Sequence, residues 1–327
     1  MKDHFLKRII RQREFMIVMI VLVMFVIMAF ASPAFLNRIN LLALVLGMSI
    51  EVIIGVAMVN LMVSGGIDMS VGSVLAFTGS TTAYLLKSGV PVLPAVLAGL
   101  AISACIGLFN GFIVAKVGIN PFVTTLASLS MFRGLTLIVT QGLNISPLPD
   151  AFNQIGQNVF LGVQTPIWIA LAFLVLGDVL LRKSRFFRQN YFIGGNEKSA
   201  RFSGIPVDRM KTLNYVFTGL FAGIAGVVMT ARLGTASTTA GSGLELRVIT
   251  AVIIGGASLQ GGEGSVLGAF FGTLLMALIA NSMNLLGVDV YWQTFVVGAT
   301  LLAAVIIDRY GKIKNSKQVK NNTKLKH

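Results

Sequence analysis

Residues 41–63 read LLALVLGMSIEVIIGVAMVNLMV, an apolar run with one ionisable side chain, Glu51. A transmembrane helix needs about 20 mostly apolar residues, so this run is long enough to cross a bilayer. It leads into SGGIDMSVGSVL at 64–75, a glycine-rich break followed by a new apolar run. Nine further apolar segments lie outward from it, near 15–31, 71–86, 93–115, 121–140, 165–181, 213–231, 245–257, 265–285 and 291–307. The fold expected is an all-α polytopic membrane protein with about ten transmembrane helices. The segments at 71–86 and 245–257 are short and flanked by glycine, as re-entrant or broken helices are.

Composition supports the same class. Of 327 residues, 55% are apolar and 12% charged, and the mean hydropathy is +0.83. A soluble domain carries roughly a quarter charged residues. A soluble enzyme of this composition would expose too much apolar surface. Disorder requires low hydrophobicity and is excluded as well. The formal charge of +14 does not point to nucleic acid, because the basic residues sit between apolar runs. Cys105 is the one cysteine, so no disulfide forms within the chain. His4 and His327 stand at the two ends, which argues against a histidine metal site.

The basic residues orient the chain. With the N-terminus in the cytoplasm and ten crossings, 21 of the 26 Lys and Arg fall inside. They cluster in the N-terminal segment 1–14, the loop 183–212 and the tail 311–327. The segment from Gln141 to Gln164 has none and falls outside. Both ends are therefore expected in the cytoplasm, with residues 15–310 forming the transmembrane domain. Ala29-Phe30-Ala31 also resembles a signal-peptide cleavage site, and cleavage there would leave nine spans. The run from Phe15 to Phe30 is long for a signal peptide and favours a retained helix.

Two glycine-rich breaks share a layout. One is 64–75, with Gly65, Gly66, Asp68 and Gly72; the other is GGASLQGGEGSVL at 255–267, with Gly261 and Gly262. Each follows an apolar run headed by an acid, Glu51 or Glu245, and ends in Gly-Ser-Val-Leu. The repeat hints at an internal duplication, which is common in transporters. Irregular backbone at membrane depth is tolerated only when buried in protein or facing water. Asp68 is placed to cap the next helix by accepting from the Ser70 or Val71 amide. Gly107 with Gly111, Gly219 with Gly223, and Gly264, Gly268 and Gly272 recur every fourth residue, a spacing that lets helices pack closely.

No P-loop, zinc-protease or hydrolase motif occurs. Ionisable residues within the apolar runs are few, and Glu51 is the best candidate for ion coupling. An energy source outside the chain is expected. The loop 183–212 is where it would act. Asn196 can cap a short helix starting at Glu197, and Gly204 followed by Pro206 ends it. Ala200 and Phe202 give that helix a small apolar surface, suited to docking another protein. The other reading lays it on the membrane surface through Lys198, Arg201 and Arg209.

At GGNEKSARFSGI, residues 194–205, the chain resembles the coupling segment of ribose-type ABC importer permeases. GIDMSVG at 66–72, NPFVTTL at 120–126 and GGASLQGG at 255–262 share the resemblance, as do RLGTA at 232–236 and NLLGV at 284–288. It spans about Phe35 to Asp308. The resemblance implies a permease of the bacterial inner membrane that works as a homodimer or with a related permease. A cytoplasmic ATPase, which binds the ATP and Mg, would dock on 196–205 through Asn196, Glu197, Lys198, Ala200, Arg201 and Gly204. The chain itself would hold no cofactor and catalyse no covalent step. A periplasmic or lipid-anchored binding protein would deliver a sugar. Ribose-type relatives tend to carry an acid where Arg247 stands, so the resemblance implies the sugar class rather than ribose itself. Polar residues that could line the path are Asn60, Asn110, Asn120, Thr124 and Ser128, each of which could equally bridge helices. The alternatives are an ion-coupled secondary transporter and a non-transporting scaffold.

Overall fold

The computed structural model describes residues 13–324. Most of the expected N-terminal segment 1–14 and the last three residues of the 311–327 tail lie outside them, as do His4 and His327. Thirteen α-helices are present among the described residues. In chain order they are α1 Arg13–Ala31, α2 Arg38–Val63, α3 Val71–Lys87, α4 Val92–Phe112, α5 Pro121–Thr140, α6 Asp150–Gln157, α7 Thr165–Lys183, α8 Arg185–Gly195, α9 Glu197–Phe202, α10 Val207–Leu233, α11 Leu244–Ile254, α12 Val266–Leu285 and α13 Val290–Lys324. Two-residue strands β1 (Val159–Phe160) and β2 (Val163–Gln164) form a small antiparallel hairpin before α7.

Each of the ten expected segments carries a helix. Among the described residues, seven are long and apolar enough to cross a membrane. The segment Phe15–Ala31 is slightly shorter. Helices α3 and α11 have 17 and 11 residues. At roughly 1.5 Å per residue, α11 rises only about 16 Å, half of a hydrocarbon core.

The central post is α2. Its N-cap Asn37 accepts from the Ile39 amide at 3.0 Å. From Met48 to Val63 every residue except Glu51 is buried. It ends where Gly65 takes φ +82°, a left-handed turn that glycine adopts without penalty. Helix α10 packs beside it and is continuous over 27 residues. It begins at Val207, six residues before the apolar run, because the polar residues there are compatible with helix and Pro206 precedes them. The α4–α10 contact is the most extensive between two helices among the described residues. A Cβ at Gly107 would overlap the Tyr215 carbonyl, and one at Gly219 would overlap the Ser103 carbonyl. Here the glycine spacing brings two backbones together.

The two breaks differ in one detail. Helix α3 starts at Val71, so Gly72-Ser73-Val74-Leu75 lies inside its first turns. Helix α12 starts at Val266, and Ser265 is its N-cap, accepting from the Gly268 amide at 3.0 Å. The shared quartet therefore occupies different positions, although the layout of acid, apolar helix, break and helix recurs. Helix α1 sends Ile17, Val21 and Met28 into the main core.

Candidate functional site

The segment 183–212 is an elbow rather than a loop with one short helix. Helix α8 leads into α9, and α9 turns into α10. Asn196 is extended, and its side chain accepts from the Ser199 amide at 3.0 Å. Gly204 closes α9 at φ +80°. The Gly204 amide donates to the Arg201 carbonyl at 3.1 Å and the Ile205 amide to the Ala200 carbonyl at 3.1 Å. This left-handed C-terminal turn satisfies carbonyls that the helix end would otherwise leave open.

Charges clamp α9 to α10. Lys211 Nζ donates to Glu197 Oε2 at 2.6 Å, and Arg201 Nη2 donates to Glu197 Oε1 at 3.0 Å. Arg201 also donates to Asp208. Partial burial works to raise the Glu197 carboxyl, but the hydrogen bonds and charges of Lys211 and Arg201 together hold it below its ordinary value. Exposed pairs contribute little singly, so the clamp acts as a network.

The apolar surface expected of Ala200 and Phe202 is corrected. Ala200 is 3% exposed and packs inward with Ile193, Val207 and Met210. Phe202 is 93% exposed and points away. A helix buries one stripe, and residues two apart do not share it. Lys198 is also exposed, at the start of the helix and four residues before Phe202.

Above α9, one stretch of α8 touches three parts of the bundle. Asn190 Nδ2 donates to Asn60 Oδ1 at 2.8 Å, Asn60 Nδ2 donates to Asn214 Oδ1 at 2.9 Å, and Asn214 Nδ2 donates to Asn190 Oδ1 at 3.0 Å. All three are buried. One turn later, Gly194 lies against the Val63 carbonyl, the Gly262 amide and Gly261 Cα, where a Cβ would clash with backbone. The Gly262 amide donates to the Val63 carbonyl at 2.8 Å. A Cβ on Gly261 would in turn meet Gly65. Tyr191 Oη donates to the Gly264 carbonyl at 2.7 Å. The two glycine-rich breaks thus meet each other and rest on α8.

The first break is held by a polar chain. Asp68 accepts from the Ser70 amide at 2.8 Å and from Ser70 Oγ at 2.6 Å. Asn110 Nδ2 donates to Ser70 Oγ at 3.0 Å, and Ser128 Oγ donates to Asn110 Oδ1 at 2.5 Å. Gly66 packs beneath Tyr215, whose hydroxyl donates to the Ile67 carbonyl at 3.0 Å. Of the five polar residues named for the path, Asn60, Asn110 and Ser128 bridge helices in this way. Asn120 is exposed and caps α5 by accepting from the Phe122 amide at 2.9 Å. Thr124 is buried, and its hydroxyl has no hydrogen-bond partner among the described residues.

Sequence reasoning did not single out Asn190, Asn214 and Tyr191. Asn214, at the start of the apolar run 213–231, was the available signal. Nor did it pair Glu51 with Arg247, whose Nε lies 2.9 Å from Glu51 Oε1. Arg133 Nη1 donates to the Thr238 carbonyl at 3.1 Å and the Ala240 carbonyl at 2.8 Å, beside the buried Glu245.

A multi-pass helical bundle with broken helices and a charged elbow is the architecture of a polytopic membrane protein. A family model described as the branched-chain amino acid transport system / permease component matches residues 39–305, and the chain belongs to this family. It is 40% identical over 290 residues to the ribose import permease protein RbsC of Bacillus subtilis, covering 88% of this chain and 90% of the relative. It is 38% identical over 311 residues to the RbsC of Escherichia coli K12, covering 94% and 96%. It is 37% identical over 288 residues to the L-arabinose transport system permease protein AraH of Escherichia coli K12, covering 88% of each. No solved structure matches the chain. Its place is the bacterial inner membrane, which it crosses several times.

Proposed function

We propose that this chain is the membrane subunit of an ABC importer for a monosaccharide. The carrying observation is its 37–40% identity, over most of its length, to ribose and arabinose permeases, although the family description names amino acids. Ten crossings with both ends in the cytoplasm agree with the basic residues. A second copy or a paralogous permease completes the pathway. A separate cytoplasmic ATPase binds the ATP and Mg and grips α9 through Phe202, Lys198 and the Glu197–Arg201 face. A binding protein delivers the sugar from the other side. The chain contributes no covalent chemistry and needs no cofactor of its own.

The geometry supports a route for coupling. Movement of the ATPase displaces α9. The charge clamp passes this to α10, and α8 passes it through the asparagine triangle and Gly194 to α2 and both breaks. A two-state rearrangement there would switch access between the two sides. Thr124, next to Thr125, which accepts from the Met69 amide of the first break, is the one of the five named path positions that neither bridges helices nor caps one among the described residues. An ion-coupled mechanism calls for an acid free to exchange its ion, whereas Glu51 is engaged by Arg247.

Reconstitution tests this. Proteoliposomes with the permease, its ATPase and binding protein should accumulate a pentose only with ATP. Gradient-driven uptake by the permease alone would overturn the reading.

A further inference from the structure

The segment 234–243 joins α10 to α11 without helix of its own. Its depth follows from packing. Gly226 of α10 lies against the Leu75 carbonyl, and Gly79 of α3 lies against Thr230. That register sets Gly72 beside residue 223 of α10, about 24 Å from one end of this helix and about 15 Å from the other at 1.5 Å per residue. Gly241 packs directly on Gly72, and Glu245 reaches the same point. The segment therefore descends to mid-bundle depth. Glu51, midway along α2, meets Arg247 just after it.

This region is open. Thr239, Ser242 and Gly243 are exposed, Arg133 is half-buried, and the Arg247 side chain is 42% exposed against 13% for Glu51. Irregular backbone and a guanidinium at this depth cannot face acyl chains. Water or another protein must cover them.

We propose that Thr239, Ser242, Arg133 and the Glu51–Arg247 pair, backed by the buried Glu245, form the wall of the water-filled path. This rests on the importer reading and adds the site. Two acids and two bases leave the wall without net charge, so it neither concentrates nor repels ions. Arg247, engaged by Glu51 through Nε, keeps 42% of its side chain exposed. Such a wall offers weak hydrogen bonds to a neutral polyhydroxylated solute, and weak contact suits passage.

The sole cysteine makes the test simple. In a Cys105→Ala permease assembled with its ATPase in membrane vesicles, Ser242→Cys is compared with Val175→Cys on an apolar exposed face of α7. The probes are two impermeant thiosulfonates, one cationic and one anionic. Ser242→Cys is expected to react at least tenfold faster than Val175→Cys, with the two probes within about threefold of each other. Adding Glu51→Gln should shift the ratio at least threefold toward the anionic probe, and Arg247→Gln should shift it the other way. Reactivity at Ser242→Cys no greater than at Val175→Cys overturns the proposal. So does a disulfide between two copies at this position without probe access, which would mark a dry interface. A probe ratio unmoved by either charge variant overturns the wall's composition. Labelling needs no transport, so normal labelling without ATP-driven uptake would instead count against the importer reading.

Discussion

Asn190 Nδ2 lies 2.8 Å from Asn60 Oδ1, and this bond fastens the α8 elbow to the central helix of the bundle. Asn214 closes the triangle, so the three side chains satisfy one another out of reach of water. Asn190→Leu would leave carboxamides on Asn60 and Asn214 short of partners. The expected cost is about 1–2 kcal/mol, because an orphaned buried polar group is expensive even where interhelical bonds are individually modest. A lower thermal midpoint in detergent, with ATP hydrolysis poorly linked to uptake, is the expected result.

Gly194 and Gly195 offer a paired test one residue apart. A Cβ on Gly194 meets the Val63 carbonyl and the Gly262 amide, which are backbone and cannot rotate away. A Cβ on Gly195 meets nothing within 4 Å. Gly194→Ala should lower the yield of monodisperse protein on size exclusion and abolish uptake. Gly195→Ala should behave as the parent.

The Glu197 clamp has a pH signature. Its folded carboxyl titrates below the ordinary value near 4.5. The stability it contributes is therefore present above that value and is lost as pH falls through the folded one. Hydrogen exchange across 197–204, corrected for intrinsic rates, should be flat from pH 7 to 5 and rise below about pH 4.5. Glu197→Lys sets a third cation beside Lys211 and Arg201 and should show the same loosening at pH 7. Gly204→Pro should do likewise, because proline cannot reach φ +80°.

Phe202 is an exposed aromatic on the elbow. Phe202→Ala should leave the thermal midpoint unchanged and weaken ATPase binding by about tenfold, since a truncated aromatic anchor costs on the order of 1–2 kcal/mol at an interface. Co-purification of the ATPase under increasing salt and dilution measures this. Unaltered retention would remove Phe202 from the docking surface.

The helices were legible because apolar length is a property of a contiguous stretch, as residues 41–63 illustrate. The Asn196 cap and the Gly204 stop were legible for the same reason, since both act within a few residues. Helix α6 and the β1–β2 hairpin were hidden in a span that reads only as an uncharged outer segment. Helix α8 was hidden because its aromatics resemble loop anchors until Asn190 is seen against Asn60, 130 positions away. The inward turn of Ala200 depends on Val207 and Met210 folding back over it. Pairings such as Glu51 with Arg247 are set by how helices cross, and no local pattern announces them.

The unbroken run of α10 has a mechanical corollary. The same rod carries Lys211 at its foot, Asn214 and Tyr215 beside the breaks, and Arg232 near its head, where it donates to the Leu46 carbonyl at 3.3 Å. A strut of about 40 Å without proline stores little bend. If the foot is pushed as proposed, the rod should carry that displacement to the head alongside the asparagine triangle.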